Sequence, residues 1–195
     1  MFKQASKVEF FLPTWLAEFA ADREIIPDID ERMSFVIAAA RRNTEESTGG
    51  PFASAIFERD SGRLVALGVN RVCTEDLSIM HAEIITLTLA QRKVKTYDLG
   101  AAHLPAHELI SSTEPCAMCL GAIAWSGIRR VVVGARDQDA REVGFDEGPK
   151  PKNWVSELQQ RGIEVICDIR REEARKVLRK YAVGGGPIYN PRAPR

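Results

Sequence analysis

The sequence predicts an α/β fold: a three-layer α/β/α sandwich with a central mixed five-stranded sheet. Three observations carry it. Five short runs of strand character lie at 52–58, 64–71, 107–112, 129–135 and 163–169. Helix-period segments separate the later runs, the alternation that places crossover helices on both faces of a sheet. The first two runs are joined around Asp60-Ser61-Gly62, a loop short enough to make a hairpin. One hairpin followed by crossovers makes the sheet mixed.

The elements follow in order. Thr14 can cap a helix over 14–20, and Phe35, Val36, Ala39 and Ala40 at helical spacing give a second over 31–46. Phe10, Phe11 and Trp15 are expected to pack on the core or on a neighbouring subunit. Gly49-Gly50-Pro51 is a turn before the hairpin, and Asn70 falls near the end of the second strand. Ile84, Ile85, Leu87 and Leu89 mark a helix over 81–95 whose first turn carries His81 and Glu83. A strand at 107–112 leads past Pro115 into a helix over 116–125. The run Val131-Val132-Val133 suits a strand buried on both faces. Residues 137–153 read as loop, 154–160 as helix and 171–182 as a charged amphipathic helix. Gly184-Gly185-Gly186-Pro187 then releases a tail. The chain reads as one domain over 1–195, with a helical extension over 1–48 and a tail, a candidate lid, over 184–195.

Composition narrows the function classes. The chain has 195 residues, 45% of them hydrophobic, enough for one sizeable core. Lys+Arg and Asp+Glu both number 27, and this zero net charge argues against stable nucleic-acid binding. Two of the four cysteines, Cys73 and Cys167, lie in apolar strand-like runs and read as small buried hydrophobes. The apolar start around Phe10-Phe11-Leu12 is broken by Pro13 and flanked by acids, unlike a signal peptide or a membrane span. A cytoplasmic location is expected.

Two stretches carry chemistry, His81-Ala82-Glu83 and Pro115-Cys116-Ala117-Met118-Cys119. An imidazole and two thiolates suit a borderline-soft divalent ion, zinc, in tetrahedral coordination. Three protein ligands leave one position for water, as in catalytic rather than structural zinc sites. Water so held has a pKa of roughly 7. Glu83, two residues beyond His81, should face the same cavity as an acid/base and not as a ligand. Taken alone, a His near a Glu is commonly a solvated helix face, and C-x-x-C also serves redox pairs or structural zinc. Together, in this order, they match the H-x-E…P-C-x-x-C pattern of zinc-dependent nucleobase deaminases. Each motif opens a helix, where unpaired N–H groups and the dipole favour a thiolate.

Gly49-Gly50-Pro51-Phe52, Asn70, His81-Ala82-Glu83 and the run from Glu114 to Ile123 together resemble the cytidine deaminase superfamily and, within it, the bacterial guanine deaminases. Trp125, where the branch acting on transfer RNA carries a histidine, and the loop Gly144-Phe145-Asp146-Glu147 favour the guanine branch. The resemblance implies a cytidine deaminase-like fold and one zinc ion per subunit on His81, Cys116 and Cys119. It implies hydrolysis of guanine at C2 to xanthine and ammonia. Glu83 would pass a proton from zinc-bound water to the adjacent ring nitrogen, and Glu147 would carry one to the leaving amine. Asn70, Trp125, Phe145 and Tyr189 would surround the base, Tyr189 from a tail that closes its own or a neighbour's site. The partner would be a small purine base, the assembly a homodimer, with no membrane. Core packing for Trp125, a solvated loop position for Glu147 and a strand-end hydrogen bond for Asn70 are the ordinary alternatives. Three other activities stay open: adenosine deamination in transfer RNA, deamination of another aminated heterocycle such as a triazine, and a zinc-stabilised interaction module without catalysis.

Overall fold

A computed structural model describes residues 3–190. Its helices are α1 (Thr14–Ala21), α2 (Ile29–Glu45), α3 (Val72–Glu75), α4 (Ala82–Val94), α5 (Ala117–Trp125), α6 (Asp137–Glu142), α7 (Trp154–Gln160) and α8 (Arg171–Val183). Its strands are β1 (Ala53–Glu58), β2 (Leu64–Val69), β3 (His107–Thr113), β4 (Arg130–Ala135) and β5 (Glu164–Ile166). They form one sheet in the order β2-β1-β3-β4-β5. β1 is antiparallel to β2 and β3, and β4 and β5 continue parallel to β3, so the sheet is mixed as expected.

Side-chain alternation along the strands divides the interior into two cores. Ala55 and Phe57 of β1, Ile110 of β3 and Val132 of β4 face the first, with Val36 and Ile37 of α2 and Val177 and Leu178 of α8. Ile56, Leu109, Val131 and Val133 face the second, with Leu87 of α4, Ile123 of α5 and Leu158 of α7. Sheet and two helical layers make the sandwich. Within it, Glu108, fully buried near the start of β3, is paired with buried Arg32 of α2 and with Arg130 of β4.

Several boundaries differ from expectation for local reasons. α2 starts at Ile29 because Asp28 caps it, accepting the Glu31 N–H at 3.0 Å. It is a core helix rather than part of a peripheral extension, since Met33, Val36, Ile37, Ala39 and Ala40 are fully buried. Residues 137–153 are not all loop. α6 occupies the first turn and a half, held by polar contacts: Asp139 accepts the Arg136 N–H at 2.8 Å and pairs with Arg171 and Arg175. Such a helix has too few apolar residues to show as a hydrophobic period. Cys73 lies in α3 and is exposed, not buried in a strand, while Cys167 is half-buried. Trp15 is buried, whereas Phe11 is exposed. The tail is described to Asn190, and its expected remainder, 191–195, lies outside the described residues. Among the described residues no helix is long and apolar enough to cross a membrane.

Candidate active site

The site forms where two helix starts meet at the end of β3. α4 packs across the hairpin because Gly68 of β2 has no side chain. A Cβ there would lie 2.4 Å from Thr86 Oγ1 and 2.9 Å from Ala82 O. Ser54 of β1 donates to Thr86 Oγ1 at 2.8 Å, and Thr86 Oγ1 contacts Ala82 O one turn earlier, which ties the start of α4 to the sheet. His81 then stands at the N-cap of α4. β3 runs through Glu114 and Pro115 to Cys116, the N-cap of α5, with Cys119 in its first turn.

Candidate ligand atoms of His81, Cys116 and Cys119 all lie within 4.8 Å of one another. His81 turns Nδ1 toward Cys116 Sγ, 3.4 Å away. One nitrogen and two sulfurs at this spacing, at two helix starts, fit a zinc ion with an open position. A hydrogen bond from Cys119, and then His81, hold the Cys116 thiol down at about 4. The same sulfur contact and burial push Cys119 well above the usual thiol range. Burial works against the His81 cation, but Cys116 and the nearby carboxylates outweigh it and raise the imidazole.

Glu83 leans over this cluster without joining it. Ser111 of β3 donates to its Oε1 at 2.9 Å and Cys119 Sγ to its Oε2 at 3.4 Å. Burial first, then the Cys116 charge, raise its carboxyl above the ordinary range. Glu147 is only 6% exposed. Burial, Cys116 and Glu83 push its carboxyl up to about 8. Two carboxyl groups near the metal ligands are thus biased toward holding protons.

A cavity of about 340 Å³ opens on the cluster, walled by Phe52, Asn70, Glu83, Phe145, Glu147 and Tyr189 among others. That is a small-molecule volume. Phe52 and Phe145 meet edge to face at 4.8 Å. Asn70 is held from behind: buried Asn43 donates to Asn70 O at 2.9 Å and to Gly50 O at 2.8 Å. A Cβ on Gly49 would fall 1.9 Å from Asn70 O, so only glycine permits this approach. The tail crosses the mouth. Tyr189 Oη is hydrogen-bonded to His81 Nε2, the nitrogen turned away from Cys116. Asn190 accepts the Asp146 N–H at 3.0 Å and donates to Gly144 O at 2.9 Å. Larger depressions, about 480 Å³ beneath the Gly184–Gly186 hinge and about 760 Å³ beside Arg136, contain none of the cluster.

Eight of the nine residues singled out in the sequence therefore come together. The exception is Trp125, at the far end of the nine-residue α5, 87% exposed and not lining the cavity of its own chain. Nine helical residues span about 13 Å, so a residue at the last turn cannot wall a site at the first. Sequence reasoning missed Ser111, Asn43 and Phe52. Alternation along β3 could have put Ser111 on the Glu83 side, but a buried Asn in a helix has no local signal.

Residues 27–135 match the family model of the cytidine and deoxycytidylate deaminase zinc-binding region. The chain belongs to that family. It is similar to guanine deaminase of Bacillus subtilis, 36% identical over 111 residues, which are 57% of this chain and 67% of that one. The fold is similar to the crystal structure of guanine deaminase from Nitrosomonas europaea, with TM-score 0.89 and 43% identity over 93% of this chain and 100% of that one. A third similarity is to a structure in complex with 2,6-diaminopurine, with TM-score 0.87 and 46% identity over 95% of this chain and 97% of that one.

Proposed function

We propose that this chain is a guanine deaminase, converting guanine and water to xanthine and ammonia. One observation carries the reading. A purine-sized cavity joins the His81, Cys116 and Cys119 cluster to two buried carboxyl groups, Glu83 and Glu147. Two of the relatives it is similar to are guanine deaminases, one of them over nearly the whole chain.

Zinc, when held by His81, Cys116 and Cys119, supplies a water acidic enough to attack at neutral pH. Glu83, oriented by Ser111, takes a proton from the attacking water and delivers it to the ring nitrogen beside C2. A C2–O bond forms and the C2–NH2 bond breaks. Glu147, whose carboxyl is pushed up to about 8, donates its proton to the departing amine, and the proton that the new C2 hydroxyl loses on becoming the carbonyl restores it. Phe52 and Phe145 give the flat ring apolar walls, and Asn70 offers amide groups to its polar edge. The tail acts as a lid: Tyr189 shuts the mouth and keeps bulk water away from the proton transfers.

The same reading covers assembly and place. Met118 and Trp125 are exposed on one face of α5, two turns apart, an apolar face suited to a second copy, so a homodimer is proposed with Trp125 at the contact. All four cysteines are free, in keeping with a cytoplasmic, reducing setting. The test is ammonia release by zinc-loaded protein from guanine, guanosine, adenine, cytosine, cytidine and transfer RNA. Guanine is expected to react. Release from RNA alone would assign the chain to the adenosine-deaminating branch, and release from none would defeat the enzyme reading.

A further inference from the structure

Glu147 enters the cavity from irregular backbone following α6, so its height over the metal ligands must be fixed from outside its own segment. Besides the Asn190 bonds to Gly144 and Asp146, two attachments reach the residues around Cys116. Ala117 N–H donates to Glu147 O at 3.0 Å, and Lys150 Nζ donates to Glu114 Oε2 at 2.7 Å. Glu114 and Ala117 stand on either side of Cys116 in the chain. The segment carrying the second carboxyl is therefore tied to both flanks of a metal-ligand residue.

The Lys150–Glu114 pair is unusual for a surface loop. Both side chains are only 5% exposed. Lys150 Nζ lies 4.6 Å from the centroid of the Trp154 ring and 3.7 Å from Asp137 Oδ2, and Glu114 Oε1 accepts from Arg136 at 3.2 Å. Taking such a pair out of water offsets much of its attraction, so net stability is a poor explanation for its presence. Geometry is a better one. A misplacement of about 1 Å in a reacting group can cost on the order of 100-fold in rate.

We infer that Lys150, through Glu114, is a positioning residue that holds the Glu147 carboxyl where it can serve the leaving amine. The inference rests on the role proposed above for Glu147. Lys150→Met keeps an apolar stem over Trp154 and removes the charge, while Lys150→Arg keeps both. K150M is expected to lower kcat on guanine about tenfold, with little change in KM, and K150R to restore most of it. In an E147Q background, K150M should change kcat less than about twofold, because residues acting as one unit are not additive. Amide exchange in the metal-free protein supplies a readout independent of turnover: residues 143–150 should exchange faster in K150M and normally in K150R, with 119–125 unchanged.

An equal fall in kcat in both backgrounds would make Lys150 a general structural residue and overturn the inference alone. Unaltered kcat and unaltered loop exchange in K150M would do the same. An E147Q protein that turned over guanine normally would remove the Glu147 role together with this inference.

Discussion

The floor and the ceiling of the cavity are built in different ways. The floor is three ligand residues and Glu83, all at the starts of α4 and α5, helices docked onto one sheet. The ceiling is irregular: the segment after α6, and a tail attached by Asn190 and Tyr189. Helices packed on a sheet hold a constellation more tightly than loops do. Segments fastened by a few side-chain bonds open at lower free energy. The proposed metal chemistry thus sits on packed helices, and the proposed lid on the part fastened by a few side-chain bonds.

That contrast sets an order of damage. Removing a floor ligand, by His81→Ala or Cys119→Ala, should abolish zinc in a metal assay and lower turnover by about a thousandfold or more. Glu83→Gln should keep the metal and cost about 10²–10⁴ in kcat, the range for a lost proton carrier. Retention of activity by either would break the comparison outright.

Glu147→Gln comes next, at about 10–100-fold in kcat. Its carboxyl is pushed up to about 8, so the donating acid is depleted as pH rises through that value. Wild-type kcat should fall on that limb, and in E147Q the fall should disappear from the pH profile. Stability runs the other way. Between its ordinary value of 4.5 and about 8 the native group keeps a proton that the unfolded chain has lost. Folding therefore weakens as pH rises through that window. Metal-free E147Q should melt above the metal-free wild type at pH 8.5 and level with it at pH 4, by calorimetry. The smallest effect belongs to the tail. Ending the chain after Gly184 should cost severalfold in turnover, about 3–10-fold, through water admission. A tail deletion more damaging than E83Q would invert the ranking.

Legibility in the sequence followed the same division. His81, Glu83, Cys116 and Cys119 announced themselves because ligand spacing within one helical turn is a local property. The sheet was equally readable, since strand alternation and the short hairpin loop are local too. Trp125, placed beside the base by resemblance alone, stands exposed at the far end of α5, because a shared residue type does not say what covers its face. α6 failed because its cohesion is ionic, through Asp139 with Arg171 and Arg175 from α8. The Lys150–Glu114 tie joins residues 36 apart, and no local pattern marks it.

Gly49 has a consequence for how this scaffold can change. With room for not even one carbon between it and the Asn70 carbonyl, the Asn70 wall of the cavity is locked at the level of the main chain. Retuning which ring fits, by selection or by an engineer, has to proceed from elsewhere, where Phe145 and Tyr189 stand on backbone outside the helices and strands.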